Sequence, residues 1–298
     1  MTVQLDVLSQ ARWVERQEVT PRDSMLYALS LGLGTDPLDE RQLAYVYEEG
    51  LQALPSMAIT LCYPSGLLQA YARAGLQTHR VLHGEQSFVL TRPLSASAHF
   101  EGVTTIQAVE DKGRGRGLLV HYRTDISDLR DGSSVAALQS STFCRDAGGS
   151  GSFGTPPQPA QQMFAPIADG KAPDWFWDFA IPPQAALLYR LSGDYNPLHV
   201  LPTLARAAGH ERPILHGRCT FGLAAHALLR EACGYEAARL SAMSARFTGV
   251  VYPGEILRTE AWHAAEGLRF RARVLERNCT VLDRGWARIQ DAPDRWTP

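Results

Sequence analysis

The stretch LHGRCTFGLAAHALLREACG, Leu215–Gly234, decides the fold. It is rich in Ala and Leu, carries apolar residues on most faces and ends at a glycine, the usual residue past a helix C-terminus. A helix that is apolar nearly all round must be buried. Strand signals follow it: LSAMSARFTGVV (Leu240–Val251), the turn YPGE, then EILRTEAWHAAEG, LRFRARVLERN and CTVLDRGWARIQ. One buried helix followed by antiparallel strands predicts an α+β unit whose sheet wraps around the helix.

The same order occurs earlier in the chain. VLHGEQSFVL (Val81–Leu90) is followed by TRPL, HFEGVTTIQAVEDKG, GLLVHYRTDI and SVAALQSSTFCR, and Pro93 occupies the place that Pro253 takes in the second series. This is an internal repeat of pattern rather than of identity. Its helix, SGLLQAYARAGL (Ser65–Leu76), is shorter and weaker. Nearer the N-terminus, DSMLYALSLGLG (Asp23–Gly34) reads as a helix with Asp23 or Ser24 as its cap. DAGGSGSFGTPPQPAQQ (Asp146–Gln162) is too polar and too rich in Gly and Pro to bury a core, and reads as a linker. The expected organisation is a half at 1–145, a linker at 146–172 and a second half at 173–298.

Composition narrows the function. Of 298 residues 45% are hydrophobic and 20% charged, and the net charge is −2, which fits a soluble globular protein and not a basic nucleic-acid binder. Cys62, Cys144, Cys219, Cys233 and Cys279 are scattered and odd in number, so reduced thiols are expected and a disulfide framework or zinc ribbon is not. His79 and His83 stand i, i+4 in a strand with no third ligand, so no metal is expected there. The opening MTVQLDVLSQARWVERQ has early charges and no apolar run, no stretch is long enough to span a membrane, and DRWTP is not a peroxisomal address. Cytoplasm is the expected location.

Chemistry concentrates in YRLSGDYNPLHVLP, Tyr189–Pro202. Gly193, Asn196 and Pro197 break helical periodicity, so this is an ordered loop. G-D-x-N-P is good turn chemistry by itself. A folded loop can nevertheless bring Asp194 and His199 to one point, and a carboxylate with an imidazole can activate a water. A short helix, PTLARAAG (Pro202–Gly209), comes next, and RPILHGRCTFG leads into the long helix. His216-Gly217 therefore stands at a helix N-terminus, where free N–H groups favour developing negative charge. Gly217 has no Cβ, so its N–H is open to close approach by a polarised thioester oxygen.

The run ALLYRLSGDYNPLHVLPTLARAAGHERPILHGRCTFG resembles the hydratase motif of type 2 enoyl-CoA hydratases, the MaoC-like family. YALSLGLG, VYEEGLQALPSMA, VLHGEQSFVLTRPL and VEDKGRGRG are similar to the N-terminal half of its two-unit members, so the resemblance covers most of the chain. It implies a double hot dog: two antiparallel sheets, each wrapped on a central helix, here with the first-half helix reduced. It also implies (R)-specific, reversible hydration of trans-2-enoyl-CoA to 3-hydroxyacyl-CoA. No cofactor is expected beyond the coenzyme A of the substrate, no nucleic-acid or membrane partner, and a homodimer is possible. By the resemblance Asp194 and His199 are the catalytic pair, Asn196 orients the water or the histidine, and Gly217 supplies the N–H to the thioester. His216, Arg218, Arg246 and Glu85 are candidates for substrate or CoA contact. For Glu85 the alternative is holding the two halves together. Two positions depart from the pattern. Leu201 replaces an Asp that would cap the next helix. Arg218 replaces an apolar residue, and can reach a CoA phosphate, a polar acyl group or a surface carboxylate. Hydration of a short, branched or dicarboxylic acyl-CoA (mesaconyl-type), and a non-catalytic acyl-CoA-binding role, are the alternatives.

Overall fold

The computed structural model describes residues 3–78, 81–145, 147–157 and 170–291. The first half holds β1 (Arg12–Val19), β2 (Val81–Leu90), β3 (Ala98–Asp111), β4 (Leu118–Asp128) and β5 (Ser134–Cys144). The second holds β6 (Trp175–Ala180), β7 (Leu240–Phe247), β8 (Ile256–Ala264), β9 (Gly267–Val274) and β10 (Cys279–Ile289). The helices are α1 (Leu5–Ser9), α2 (Pro21–Ser30), α3 (Glu40–Leu43), α4 (Leu67–Arg73), α5 (Ala185–Tyr189), α6 (Pro202–Ala207) and α7 (Gly217–Glu231).

The spatial order of strands is β1-β3-β4-β5-β2-β7-β10-β9-β8-β6. Read from the outer edge inward, both halves run first, third, fourth, fifth, second. The repeat is therefore five strands long, one more per half than the sequence pattern revealed. The two expected sheets are joined edge to edge into one, because β2 and β7 pair antiparallel from Glu85↔Arg246 to Val89↔Ala242. Pairing these two edges satisfies backbone groups that would otherwise be open to aggregation.

The long helix lies where its apolar surface required. All of Cys219–Leu229 in α7 is buried. Trp177 of β6 meets His226 of α7 with ring centroids 4.9 Å apart, and Phe88 of β2 meets Phe221 edge-on at 6.2 Å. So α7 packs on strands of both halves. The aromatic run WFWDF is an edge strand that covers α7, with Phe176 outward beneath Arg258. His226 Nδ1–H donates to the Leu31 carbonyl at 2.9 Å, tying α7 to the end of α2. The cap of α2 lies earlier than the sequence suggested. Thr20 accepts from the Asp23 N–H while Asp23 accepts from the Thr20 N–H, a reciprocal capping box with Pro21 in the first turn.

The first half has no counterpart of α7. Its central place is filled by a short 3-10 segment, Pro55–Thr60, while the seven-residue α4 packs into a separate apolar cluster with Leu8, Ile106, Val120 and Tyr122. The Gly-rich segment after β5 is strapped to this half. Asp111 accepts from the N–H groups of Gly113, Gly149 and Gly151, which pull its carboxyl down to about 2, and Phe153 bridges to Val109. Positions 158–162 of the expected linker lie outside the described residues.

Candidate active site

The loop is built by turn chemistry, and the turns deliver the ionisable groups. Helix α5 runs into a 3-10 turn, Arg190–Ser192, which Gly193 stops at φ +113°, a backbone that residues with a Cβ avoid. Asp194 Oδ1 accepts the Asn196 N–H at 3.2 Å, and Asn196 Oδ1 accepts the Leu198 N–H at 3.0 Å. These bonds fold Pro197–His199 into one more 3-10 turn and bury His199. The turn reading and the site reading of this loop are thus both correct, and the first produces the second.

His199 Nδ1 lies 2.9 Å from the Ile214 carbonyl. A carbonyl only accepts, so Nδ1 carries the proton and Nε2 is left with its lone pair. His216, the N-cap of α7, stacks on His199 with ring centroids 3.7 Å apart and planes inclined by 27°. Its Nε2–H donates to the Asp194 main-chain carbonyl at 3.1 Å, leaving Nδ1 bare. His216 therefore braces the ring of one candidate and the backbone of the other. The donor atoms of Asp194, His199 and His216 all lie within 4.8 Å of one another, close enough to share one small molecule or proton.

Burial holds the His199 pKa below the ordinary value, opposed by the Ile214 bond and the Asp194 charge. Burial, then the neighbouring His199, brings His216 down to about 4. At neutral pH both rings are uncharged, the state in which His199 Nε2 accepts a proton.

Gly217 opens α7, so its N–H belongs to the unbonded first turn. A Cβ on Gly217 would come within 3.3 Å of the Phe247 ring, which also faces His83 at a centroid distance of 4.6 Å. Tyr189 OH and His216 Nδ1 are buried without a hydrogen-bond partner among the described residues. Across the seam, Tyr63 keeps 44% of its surface accessible, yet burial raises its hydroxyl pKa well above the usual range. A side chain that is hemmed in and still accessible lines the wall of an opening. The Arg218 guanidinium lies over that ring, 4.4 Å from its centroid.

Asp194, His199, His216, Gly217 and Arg218 thus come together. Three other candidates take different places. Asn196 is exposed and its side-chain oxygen is committed to Leu198, so it shapes the turn instead of orienting a water. Arg246 directs both Nε and Nη2 at Glu85 Oε1, at 2.9 and 2.7 Å, across the β2–β7 seam. That pair occupies the guanidinium expected for CoA phosphates, and Glu85 serves to hold the halves together. Leu201 is the N-cap of α6 and makes no side-chain capping bond, as its departure from the family pattern implied. The KGRGRG segment spans the β3–β4 turn, with Lys112 bonded to Glu110. His79 lies outside the described residues. Sequence reasoning missed Tyr63, His83, Tyr189 and Phe247 as site residues. Only Tyr189, at the head of the quoted loop, carried any local signal.

A family profile described as MaoC like domain matches residues 165–283, and one described as MFE-2 hydratase 2 N-terminal domain matches residues 17–146. The 3-hydroxyacyl-thioester dehydratase Y of Mycobacterium tuberculosis is 38% identical over 264 residues, covering 86% of this chain and 87% of the relative. The chain belongs to the MaoC-like family. Another MaoC-like relative, the peroxisomal enoyl-CoA hydratase 2 of Arabidopsis thaliana, is 35% identical over 280 residues, 90% of this chain and 89% of its own. The crystal structure of a MaoC-like dehydratase from Phytophthora capsici superposes with a TM-score of 0.83 at 30% identity, covering 97% of this chain and all of that one. The fold of this MaoC-like chain is the double hot dog. No helix among its described residues is long and apolar enough to cross a membrane.

Proposed function

We propose that this MaoC-like protein adds water across the double bond of a trans-2-enoyl-CoA to give the (3R)-3-hydroxyacyl-CoA, and catalyses the reverse dehydration. The observation that carries the reading is a neutral His199 with Nε2 bare, beside Asp194 and the opening turn of α7. In this reading a water is held between Asp194 and His199. Its oxygen bonds to C3 as His199 Nε2 takes one of its protons. Electrons move through the conjugated system onto the thioester oxygen, where the Gly217 N–H and the positive end of α7 stabilise the enolate. A proton then returns from the pair to C2, so the net change is OH at C3 and H at C2. His216 is a positioning residue, holding the His199 ring and the Asp194 backbone. The reading needs no metal, because the helix N-terminus supplies the polarisation. The acyl group lies toward the first half, where short segments replace a long helix and Tyr63 lines the opening.

The test is hydration of crotonyl-CoA and of a ten-carbon enoyl-CoA, followed by loss of the conjugated absorbance, with chiral analysis of the product. Turnover with 3R product is expected. No hydration of any enoyl-CoA, or 3S product, overturns the reading.

A further inference from the structure

Arg218 stands where a cation is costly three times over. It is in the first turn of α7, facing the positive end of the helix. It is deeply enclosed, so desolvation works against its charge, which arginine cannot shed. Among the described residues no carboxylate lies within 4.0 Å of it, whereas Arg246, Arg258, Arg271 and Arg277 each reach one. Its one close contact is the face of Tyr63, which offsets only part of the cost, and Asp194 acts on it at longer range. The surface-carboxylate role is thus excluded for the described residues.

We infer that Arg218 reads an anionic group on the acyl chain, and that this enzyme takes short 2-enoyl-CoA thioesters ending in a carboxylate. A carboxylate accepts two parallel N–H bonds from a guanidinium, a geometry lysine cannot offer. The Tyr63 hydroxyl and the unpartnered Tyr189 hydroxyl add donors near the same spot. Direction separates acyl chain from coenzyme. Arg218 adjoins Gly217 and turns onto a ring of the first half, the acyl side, while CoA phosphates must run outward to water. Adjacency to Gly217 also keeps the anion close to the thioester, which limits the chain length.

The inference rests on the hydratase reading, so its test does not require turnover. Glutaryl-CoA and valeryl-CoA are saturated, have five acyl carbons each, and differ in the terminal carboxylate. Calorimetric binding to the wild type is expected to favour glutaryl-CoA by about tenfold or more, the worth of a charged hydrogen-bonded pair. In Arg218→Leu that preference disappears, while Arg218→Lys keeps part of it. The same pair as pantetheine thioesters, which lack the nucleotide phosphates, should show the same preference and the same loss. Equal binding of the two acyl groups by the wild type overturns the proposal. So does an Arg218→Leu loss that is equal for both and vanishes with pantetheine thioesters, since Arg218 would then be a phosphate contact. If glutaryl-CoA is preferred but glutaconyl-CoA is not hydrated, the hydratase reading fails and the anion site stands.

Discussion

The two halves share one strand order and differ in what the sheet encloses. The second half encloses α7, fifteen residues with a buried middle, and spends the N-terminus of that helix on Gly217. The first half encloses a six-residue 3-10 segment and a seven-residue helix, and keeps polar groups such as Tyr63 and His83 facing the seam. A sheet that holds a full helix has a rigid anion-binding terminus and no room. A sheet that holds fragments has room and no terminus. Joined at β2–β7, each supplies what the other lacks.

The comparison breaks most visibly at the catalytic pair. His199→Ala or Asp194→Asn is expected to lower kcat at least about 10²-fold, since general acid–base groups contribute on that scale. The first half has no counterpart to compensate, so near-wild-type turnover in either variant would mean that catalysis lies elsewhere.

Acid stability sharpens the contrast next. His226 lies in the buried middle of α7, and burial lowers its pKa to about 4. The unfolded chain takes up the proton near 6.5, so between those values the unfolded state binds more protons. Stability contributed by neutral His226 is complete above pH 6.5 and is lost as pH falls toward 4. His226→Gln should therefore lose about 2 kcal/mol less than the wild type between pH 6.5 and pH 5, read from urea midpoints. An unchanged pH slope would contradict the neutral, buried histidine.

Smaller effects test the edges of the second half. Leu201→Asp restores a cap to α6 and is expected to raise stability by about 1 kcal/mol in thermal unfolding, with kcat within about twofold. A large rise in kcat would mean that Leu201 limits the chemistry. At the seam, Glu85→Gln should cost about 0.5 kcal/mol, because Arg246 is 41% exposed and water screens the pair. KM for the thioester should not move. A clear rise in KM would return Arg246 to the CoA site.

How much was legible follows the same division. The buried helix, the eight central strands and the Asp194–His199 loop were readable because their signals are local: apolar continuity, alternation and turn residues. The two outer strands were not. In β1 every residue but Val19 stays at least partly exposed, so RWVERQEV has no apolar face to alternate. In β6 the aromatics occupy both faces and mask the period of two. Within the site, Asn196 read as a chemical group because its turn bond to Leu198 is invisible in sequence order. Tyr63 and His83 reach the site from more than a hundred residues away, through the β2–β7 pairing that only the fold supplies. Arg218 was visible as a departure, but the direction of its side chain was not.

The central claim is that one Asp194–His199 unit per chain performs the hydration. It is tested most directly by crotonyl-CoA turnover in the Asp194→Asn, His199→Ala double variant beside the two single variants, with circular dichroism to show that all three fold. Residues acting as a unit are non-additive, so the double variant should lose no more than the worse single one, at least about 10²-fold. A folded double variant with turnover within about tenfold of wild type would contradict the account.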